Sequence, residues 1–448
     1  MRRVIAFSAI VGLCLGLVAL LIVKPWKTEV ESPRFVDRLP MSEIIGRTNI
    51  LNLAKDFIPT IYQNQISFRE FISPEFILSQ GKINGLDLQR PLYFFGSQSS
   101  TDIEEWGMMF HVSDSSKLYP GIKRFEKITP IKDSSLFDHR IFIFPEYNLS
   151  ISYGKDWLLV TDRKSFKRHL DHVVHARIKA IYPRWRAFIE ERLYKGKSLQ
   201  VSIVSKQLRT YGVSSALLAS SADSNSLTLH TRLTNMDTIP FSLKQTGERF
   251  ERTEFTRRMI SLHLNIDRLK NEKNHPLYTA LKKLTQKVSF PLDEFLNTWD
   301  GDIAFRQGGL QTLIEPYIAS ELDENFNVTE VIKYKRVKIS GFELKMSMNE
   351  NRPAFIKHLY SKGILTREGS KVRMLYFPPM KMQAEEESIN FYTSSFRPGA
   401  IPDSTQSILW DFNYTPVKFT LDSIHSKTAY GKINIGLSKL VNDKINSK

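Results

Sequence analysis

The run from Val4 to Val23 carries no charge and few polar groups, with Arg2 and Arg3 before it and Lys24, Pro25, Trp26 and Lys27 after it. At about 1.5 Å per residue, roughly 20 such residues cover the hydrocarbon core of a bilayer as a helix. Nothing downstream compares with it. The chain therefore reads as a cytoplasmic end at 1–3, a transmembrane anchor at 4–23, a linker at 24–39 and one mass beyond. A cleavable secretory signal has a shorter apolar core, about 7 to 15 residues, and ends in a small-x-small site. Residues 24–31 offer no such site, which favours an uncleaved anchor, and Leu13 is too large to precede a lipidated Cys14. Val4 and Val23 bound the span, and Trp26 falls where an amphipathic ring sits at headgroup level. The basic residues on the two flanks nearly balance, so the very short N-terminal flank sets the orientation. The expectation is a single-pass protein of the cytoplasmic membrane with its C-terminal bulk extracytoplasmic.

The 448 residues are 42% hydrophobic and 11% aromatic, enough for two domains with real cores. Cys14, inside the apolar run, is the one cysteine, which excludes disulfides, thiolate metal sites and cysteine nucleophiles from the rest of the chain. The formal charge is +16. On an exported domain its anionic counterparts are phospholipid headgroups or acidic polymers rather than nucleic acid. Basic residues concentrate in 163–197 and 333–338, and neither stretch has a nucleic-acid-binding pattern. Solvated helix and strand faces account for both; the functional alternative is contact of Lys164, Lys167, Arg168 and Lys179 with an anionic surface.

Beyond the linker, one order of elements occurs twice. A strand running into a helix at 44–53 is matched at 259–269, and helical stretches follow each, at 68–79 and at 275–287 with 292–298. Gly107 to Asp114 alternates apolar and polar residues before 115–125 turns helical. Phe342 to Asn349 does the same before 352–361. A period of two switching to 3.6 at a polar cap marks a strand entering a helix. Each half closes with hairpin-like strands, 198–204 with 226–233, and 407–412 with 430–437. Most matched elements lie about 200 to 220 residues apart, and an extra segment at 310–333 absorbs the larger offset of the strand-helix unit. Short turns between consecutive strands imply antiparallel pairing. The expected class is α+β: a transmembrane helix followed by two similar halves, 40–245 and 246–448, on mainly antiparallel sheets with helices.

Four short motifs recur along this plan: Gly85-Leu86-Asp87-Leu88, Val112-Ser113-Asp114, Gly154-Lys155-Asp156-Trp157 running to Thr161-Asp162, and Trp299-Asp300-Gly301-Asp302. On them the chain resembles the uncharacterised extracytoplasmic repeat proteins of bacterial envelopes. The resemblance covers most of 40–440 and implies no activity. A membrane span stands where many such proteins carry a lipidated cysteine.

Catalytic patterns are absent. Gly196-Lys197-Ser198 resembles the end of a phosphate-binding loop, but Glu191 stands where its first glycine belongs. His169, His172 and His175 step by three, so on a helix their rings fan around the axis and cannot close on one metal without a distant fourth group. Glu104-Glu105 and Glu190-Glu191 are adjacent and diverge, unlike a glycosidase couple. Trp299-Asp300-Gly301-Asp302 is the best candidate by residue type, although a turn with the tryptophan packed beneath explains it equally. The reading is a non-catalytic single-pass envelope protein, with no catalytic, metal or cofactor-binding residues and no cofactor. Its duplicated domain binds or scaffolds a protein, lipid or polymer, as an accessory subunit of a membrane complex. Its partners are the membrane through the N-terminal helix, an envelope protein and an anionic lipid or polymer, with no nucleic acid. The rival is an envelope-polymer hydrolase using scattered carboxylates or the histidine helix.

Overall fold

The computed structural model describes residues 34–436 except 64–73, 99–102, 180, 211, 224–225, 323–327, 375–376, 394–399 and 413–414. Its first strands are β1 (Ile44–Thr48), β2 (Leu92–Gln98), β3 (Ile103–His111), β4 (Lys132–Leu136), β5 (His139–Phe144), β6 (Leu149–Tyr153), β7 (Trp157–Asp162), β8 (Leu199–Ile203), β9 (Val213–Ala222) and β10 (Ser226–Asn235). There follow β11 (Ser242–Leu243), β12 (Gly247–Phe250), β13 (Thr256–Asn265), β14 (Trp299–Leu322), β15 (Val328–Met348), β16 (Leu365–Glu368), β17 (Lys371–Met374), β18 (Lys381–Ala384), β19 (Ser388–Tyr392), β20 (Ala400–Asp403), β21 (Gln406–Phe412), β22 (Thr415–His425) and β23 (Thr428–Gly436).

Nineteen of these strands join one antiparallel sheet. Its seam is β10 against β23, paired from Ser226–Gly436 to Thr234–Thr428. Outward from the seam, one side runs β10-β9-β8-β1-β2-β3-β7-β6-β5-β4. The other runs β23-β22-β21-β13-β14-β15-β19-β18. The β16–β17 hairpin continues this side through a bridge between Val372 and Met380. Gly107–Phe125 and Phe342–Ser361 thus occupy the same place in the two orders, a third strand out from the hairpin trio leading into a helix.

Alternation along the strands decides which face is covered. Ile45, Phe95, Met109 and Leu159 line one face, where the helices Phe166–Val174 and Pro183–Glu190 add Leu170, Val173, Trp185 and Phe188. Trp185 reaches this core by donating its indole N–H to the Pro40 carbonyl at 2.8 Å. On the other side of the seam, Phe342, Ile389 and Phe391 pack under the helix Arg352–Ser361 through Phe355 and Leu359.

Two sequence expectations need correction here. Strand makes up 49% and helix 25%, and the closing hairpins pair with each other, so the α+β class with separately sheeted halves gives way to a mainly β architecture on one continuous sheet. Among the described residues no helix is long and apolar enough to cross a membrane; Ile50–Gln63, of 14 residues, is about 21 Å long against the roughly 30 Å required. The described residues thus supply no transmembrane helix of the kind that the signal-anchor reading and the single-pass inner-membrane localisation require. The run 4–23 itself, with Val4, Val23 and Trp26, lies outside the described residues.

A buried ion pair ties the outer strands of the second side together. Arg306 and Glu343 are cross-strand partners on β14 and β15, and the guanidinium donates to one carboxylate oxygen at 2.8 and 3.1 Å. Asn390 on β19 donates to the other oxygen at 3.1 Å, and Arg306 also reaches the Glu251 carbonyl at 3.1 Å and lies over the Phe250 ring. Glu343 has no exposed surface. Removing its partner strands a buried charge, so Arg306→Met should cost about 3–5 kcal/mol in urea unfolding. Adding Glu343→Leu should return much of that loss; a double variant no better than the single would show that packing, not charge, carries the site.

Candidate functional site

Trp299-Asp300-Gly301-Asp302 opens β14 and shapes one wall of a polar cleft. Gly301 has φ +96°, and a Cβ there would lie 1.9 Å from the Leu264 carbonyl oxygen, so the position admits glycine alone. Register slips between Trp299 and Ile303. Such a bulge bends its strand and redirects a side chain, here that of Asp302. The Trp299 indole N–H holds the bulge closed by donating to the Asp302 carbonyl at 2.8 Å, while its ring stacks on Phe295. Lys244 Nζ donates to the Asp300 carbonyl at 2.6 Å and to Asp302 Oδ2 at 2.9 Å. Burial pushes the Asp302 carboxyl up, but contacts with His263 and Lys244 outweigh it and hold the group below its ordinary range.

Behind Asp302 lies a buried relay. Ser261 and His263, two apart on β13, share a face, and Ser261 Oγ is 3.0 Å from His263 Nε2 and 3.2 Å from Asp403 Oδ2. His263 Nδ1 is 3.3 Å from Asp302 Oδ1, within ion-pair distance but outside hydrogen-bond alignment. Serine, histidine and aspartate in this order could serve as nucleophile, base and orienting group. Access decides otherwise: Ser261 and His263 are both 0% exposed, and the Gly247 backbone lies against the imidazole. In this conformation no substrate carbonyl reaches Ser261 Oγ. The relay leaves the imidazole edge beside Asp302, whose carboxylate is held by Lys244.

The cleft has two lobes, of about 560 and 790 Å3, which share Asp302, Ser347, Glu386 and Glu387. Glu248 and Glu385 line the first and bind Lys345 Nζ at 2.7 and 3.4 Å. A hydrogen bond from Ser388, then the Lys345 charge, lowers the Glu385 carboxyl against the effect of its burial. Asp267, Asp300 and Glu350 line the second, with Lys244 and Lys270. In all, eight carboxylates face three lysines, a local excess of negative charge on a chain of +16.

The other sequence candidates do not converge. On the helix Phe166–Val174, His169 is buried edge-on to Phe95 and His172 stacks on Tyr182, while exposed His175, capping its C-terminus, pairs with Asp171 at 3.0 Å. Among the described residues no group of three or more His, Cys, Asp and Glu side chains is placed to hold a metal. Lys164, Lys167, Arg168 and Lys179 are exposed, with Arg168 paired to Glu105 and the Lys179 backbone N–H donating to Asp37 at 3.2 Å. Arg184, from the same basic stretch, is taken into the structure instead: burial lowers it to about 10, and it donates to the carbonyls of Ser42, Glu43 and Ser202. Sequence reading passed over Ser261, His263 and the run Glu385-Glu386-Glu387. Polar residues on the inward positions of a strand, and three successive acids in a basic chain, were the available signals.

No family model matches the sequence, and no curated protein matches it. Among solved structures, crystal form IV of TP0453 is weakly similar, with TM-score 0.31 and 12% identity over 46% of this chain and 82% of that one. Crystal form I gives TM-score 0.30 and 10% identity over 47% and 81%.

His169 provides a pH test of the helix placement. Burial, reinforced by the Arg168 charge, lowers it to about 4, whereas an unfolded chain titrates it near 6.5. Between those values the unfolded state binds a proton that the folded state does not, so stability falls as pH drops from about 6.5 to about 4. His169→Asn should shrink the difference in Tm between pH 7 and pH 5, whatever its Tm at pH 7. An unchanged difference would mean that His169 protonates freely in the fold.

Proposed function

We propose that this chain is a non-catalytic binding protein made of two related tandem units, 40–245 and 246–448, and that its acidic cleft docks a cationic segment of a protein or polymer partner. The carrying observation is the excess of eight carboxylates over three lysines in that cleft. On a chain of +16 overall, a cleft with an excess of carboxylates is electrostatically complementary to a basic ligand. Preorganisation adds to it. The Gly301 bulge and Lys244 hold Asp302 before any ligand arrives, which reduces the ordering cost of binding. The matching strand orders on the two sides of the seam support the tandem units.

A second contact, of Lys164, Lys167, Arg168 and Lys179 with an anionic lipid or polymer, draws support from the exposure of all four. The hydrolase alternative has less behind it, since Ser261 and His263 are enclosed and the helix histidines diverge.

Titration calorimetry with an octalysine peptide tests the cleft. The full chain should bind it, less tightly at higher salt. Replacing Glu385, Glu386 and Glu387 with Gln should weaken binding roughly tenfold, about 1.4 kcal/mol, while Lys164→Gln with Lys167→Gln should leave it intact. Equal affinity in the triple variant would remove the cleft as the docking site.

A further inference from the structure

Beyond the body of the sheet, β14 and β15 continue as a two-stranded arm. Residues 310–322 pair with 328–340 and, among the described residues, with no other strand, since β13 follows β14 to Gly308 and β19 follows β15 over 343–347. The arm leaves the body at a register slip beside Gly309, whose φ is +64°, with Gly308 paired to Gly341. Thirteen residues at about 3.3 Å make it roughly 43 Å long.

Register places most of the arm's exposed apolar side chains together, Tyr317 excepted. In an antiparallel pair, directly opposed residues share a face and alternate residues repeat it. Leu310, Ile314 and Ile318 on β14 and Val328, Ile332 and Tyr334 on β15 all fall on one face, and each is between 60% and 73% exposed. Ile314, Ile318, Ile332 and Tyr334 adjoin at the centre of this face, and an exposed apolar patch of this kind marks an interaction site.

Charge along the arm identifies the occupant. Near the tip, that same face carries Glu330; near the body, it carries Arg336 and Lys338. Residues 310–340 hold five acidic side chains and four basic ones, so the arm is close to neutral, although the chain is +16, and has no special attraction for an anionic membrane. Its pattern is instead complementary to itself when reversed. Two arms laid face to face and antiparallel about a two-fold axis near Tyr334 set Ile332 and Tyr334 of each against the other. The same operation puts Glu330 of each copy opposite the Arg336 and Lys338 end of the second. Such isologous contacts make every pair twice.

We propose that this arm face is the dimerisation surface of the protein, its partner a second copy crossing antiparallel. A face roughly 43 Å by 10 Å buries on the order of 900 Å2 over two copies, below the 1,200 Å2 of stable complexes, so association in the micromolar range is expected.

Sedimentation velocity of the full chain from about 1 to 200 µM should show a concentration-dependent monomer–dimer equilibrium. Ile318→Asp with Ile332→Asp, both on an exposed face that the fold does not use, should weaken it tenfold or more. Glu330→Lys alone should weaken it too, and adding Lys338→Glu to that chain should restore it. In a Cys14→Ser background, Tyr334→Cys should cross-link two copies under mild oxidation, whereas Thr329→Cys, on the opposite face, should not. The proposal is overturned if association is absent, if it is equal in the double aspartate variant, or if both cysteines cross-link alike. It is likewise overturned if the chain stays monomeric while the same variants lose binding to phosphatidylglycerol vesicles, which would make the arm a membrane contact.

Discussion

Everything in this fold depends on the pairing of β10 with β23. Each belongs to a closing hairpin trio, β8-β9-β10 or β21-β22-β23, and each trio alone would end in an open edge of unpaired N–H and C=O groups. Open edges invite pairing with another chain. Joining the two antiparallel satisfies both edges at once. The seam also has distinct faces: Leu227 and Leu229 stand opposite Ile435 and Ile433 on one, while on the other Thr228 bonds to Asn434 at 2.7 Å. A one-residue slip would exchange those faces, so the pattern fixes the register.

From the seam outward, equivalent turns do similar work at equivalent places. On the first side, the Val112 N–H donates to the Asp156 carbonyl, and Gly85 accepts from Ser113 and Asp114. On the second, the Met348 N–H donates to the Glu387 carbonyl and the Asn349 N–H to that of Thr298. Those second-side contacts carry the acidic run and the start of β14 to the same rim. The cleft therefore sits at the second side's counterpart of the first side's turn cluster. Two changes separate them: a glycine bulge that redirects Asp302, and three successive acids where the first side has Gly154-Lys155-Asp156.

Local order was legible in the sequence wherever periodicity changed sharply. The switch at Asp114, whose side chain accepts from the Ser116 N–H, and the switch into Arg352–Ser361 both stand out because alternation stops at a polar residue and an apolar stripe begins. Helices at Pro276–Gln286 and Leu292–Thr298 announce themselves by proline at or before the first turn. Class was not legible, because the β10–β23 junction joins residues about 200 apart and no local pattern encodes which edge meets which. The Ser261–His263–Asp302 relay was hidden for the same reason: its members are recruited from two strands, and only the pairing of β13 with β14 brings His263 opposite Asp302. Trp299-Asp300-Gly301-Asp302 could be read by type, but its bulge, and hence the direction of Asp302, depends on the Leu264 carbonyl across the strand.

The two sides of the sheet also differ in the length of one pair of strands. β2 and β3 span 7 and 9 residues, whereas β14 and β15, in the same topological positions, span 24 and 21. A lone two-stranded ribbon is at best marginal in water, because it has no third strand or helix to cover either face. Cross-strand pairs return roughly 0.2–1 kcal/mol each, against about 1–2 kcal/mol of backbone entropy for every residue fixed. Leaving Ile318 and Ile332 paired with each other and open to water adds no burial to offset that cost. The exposed face, with Ile318, Ile332 and Tyr334 between Glu330 and the Arg336–Lys338 end, is where a second copy would supply the burial that the chain itself does not.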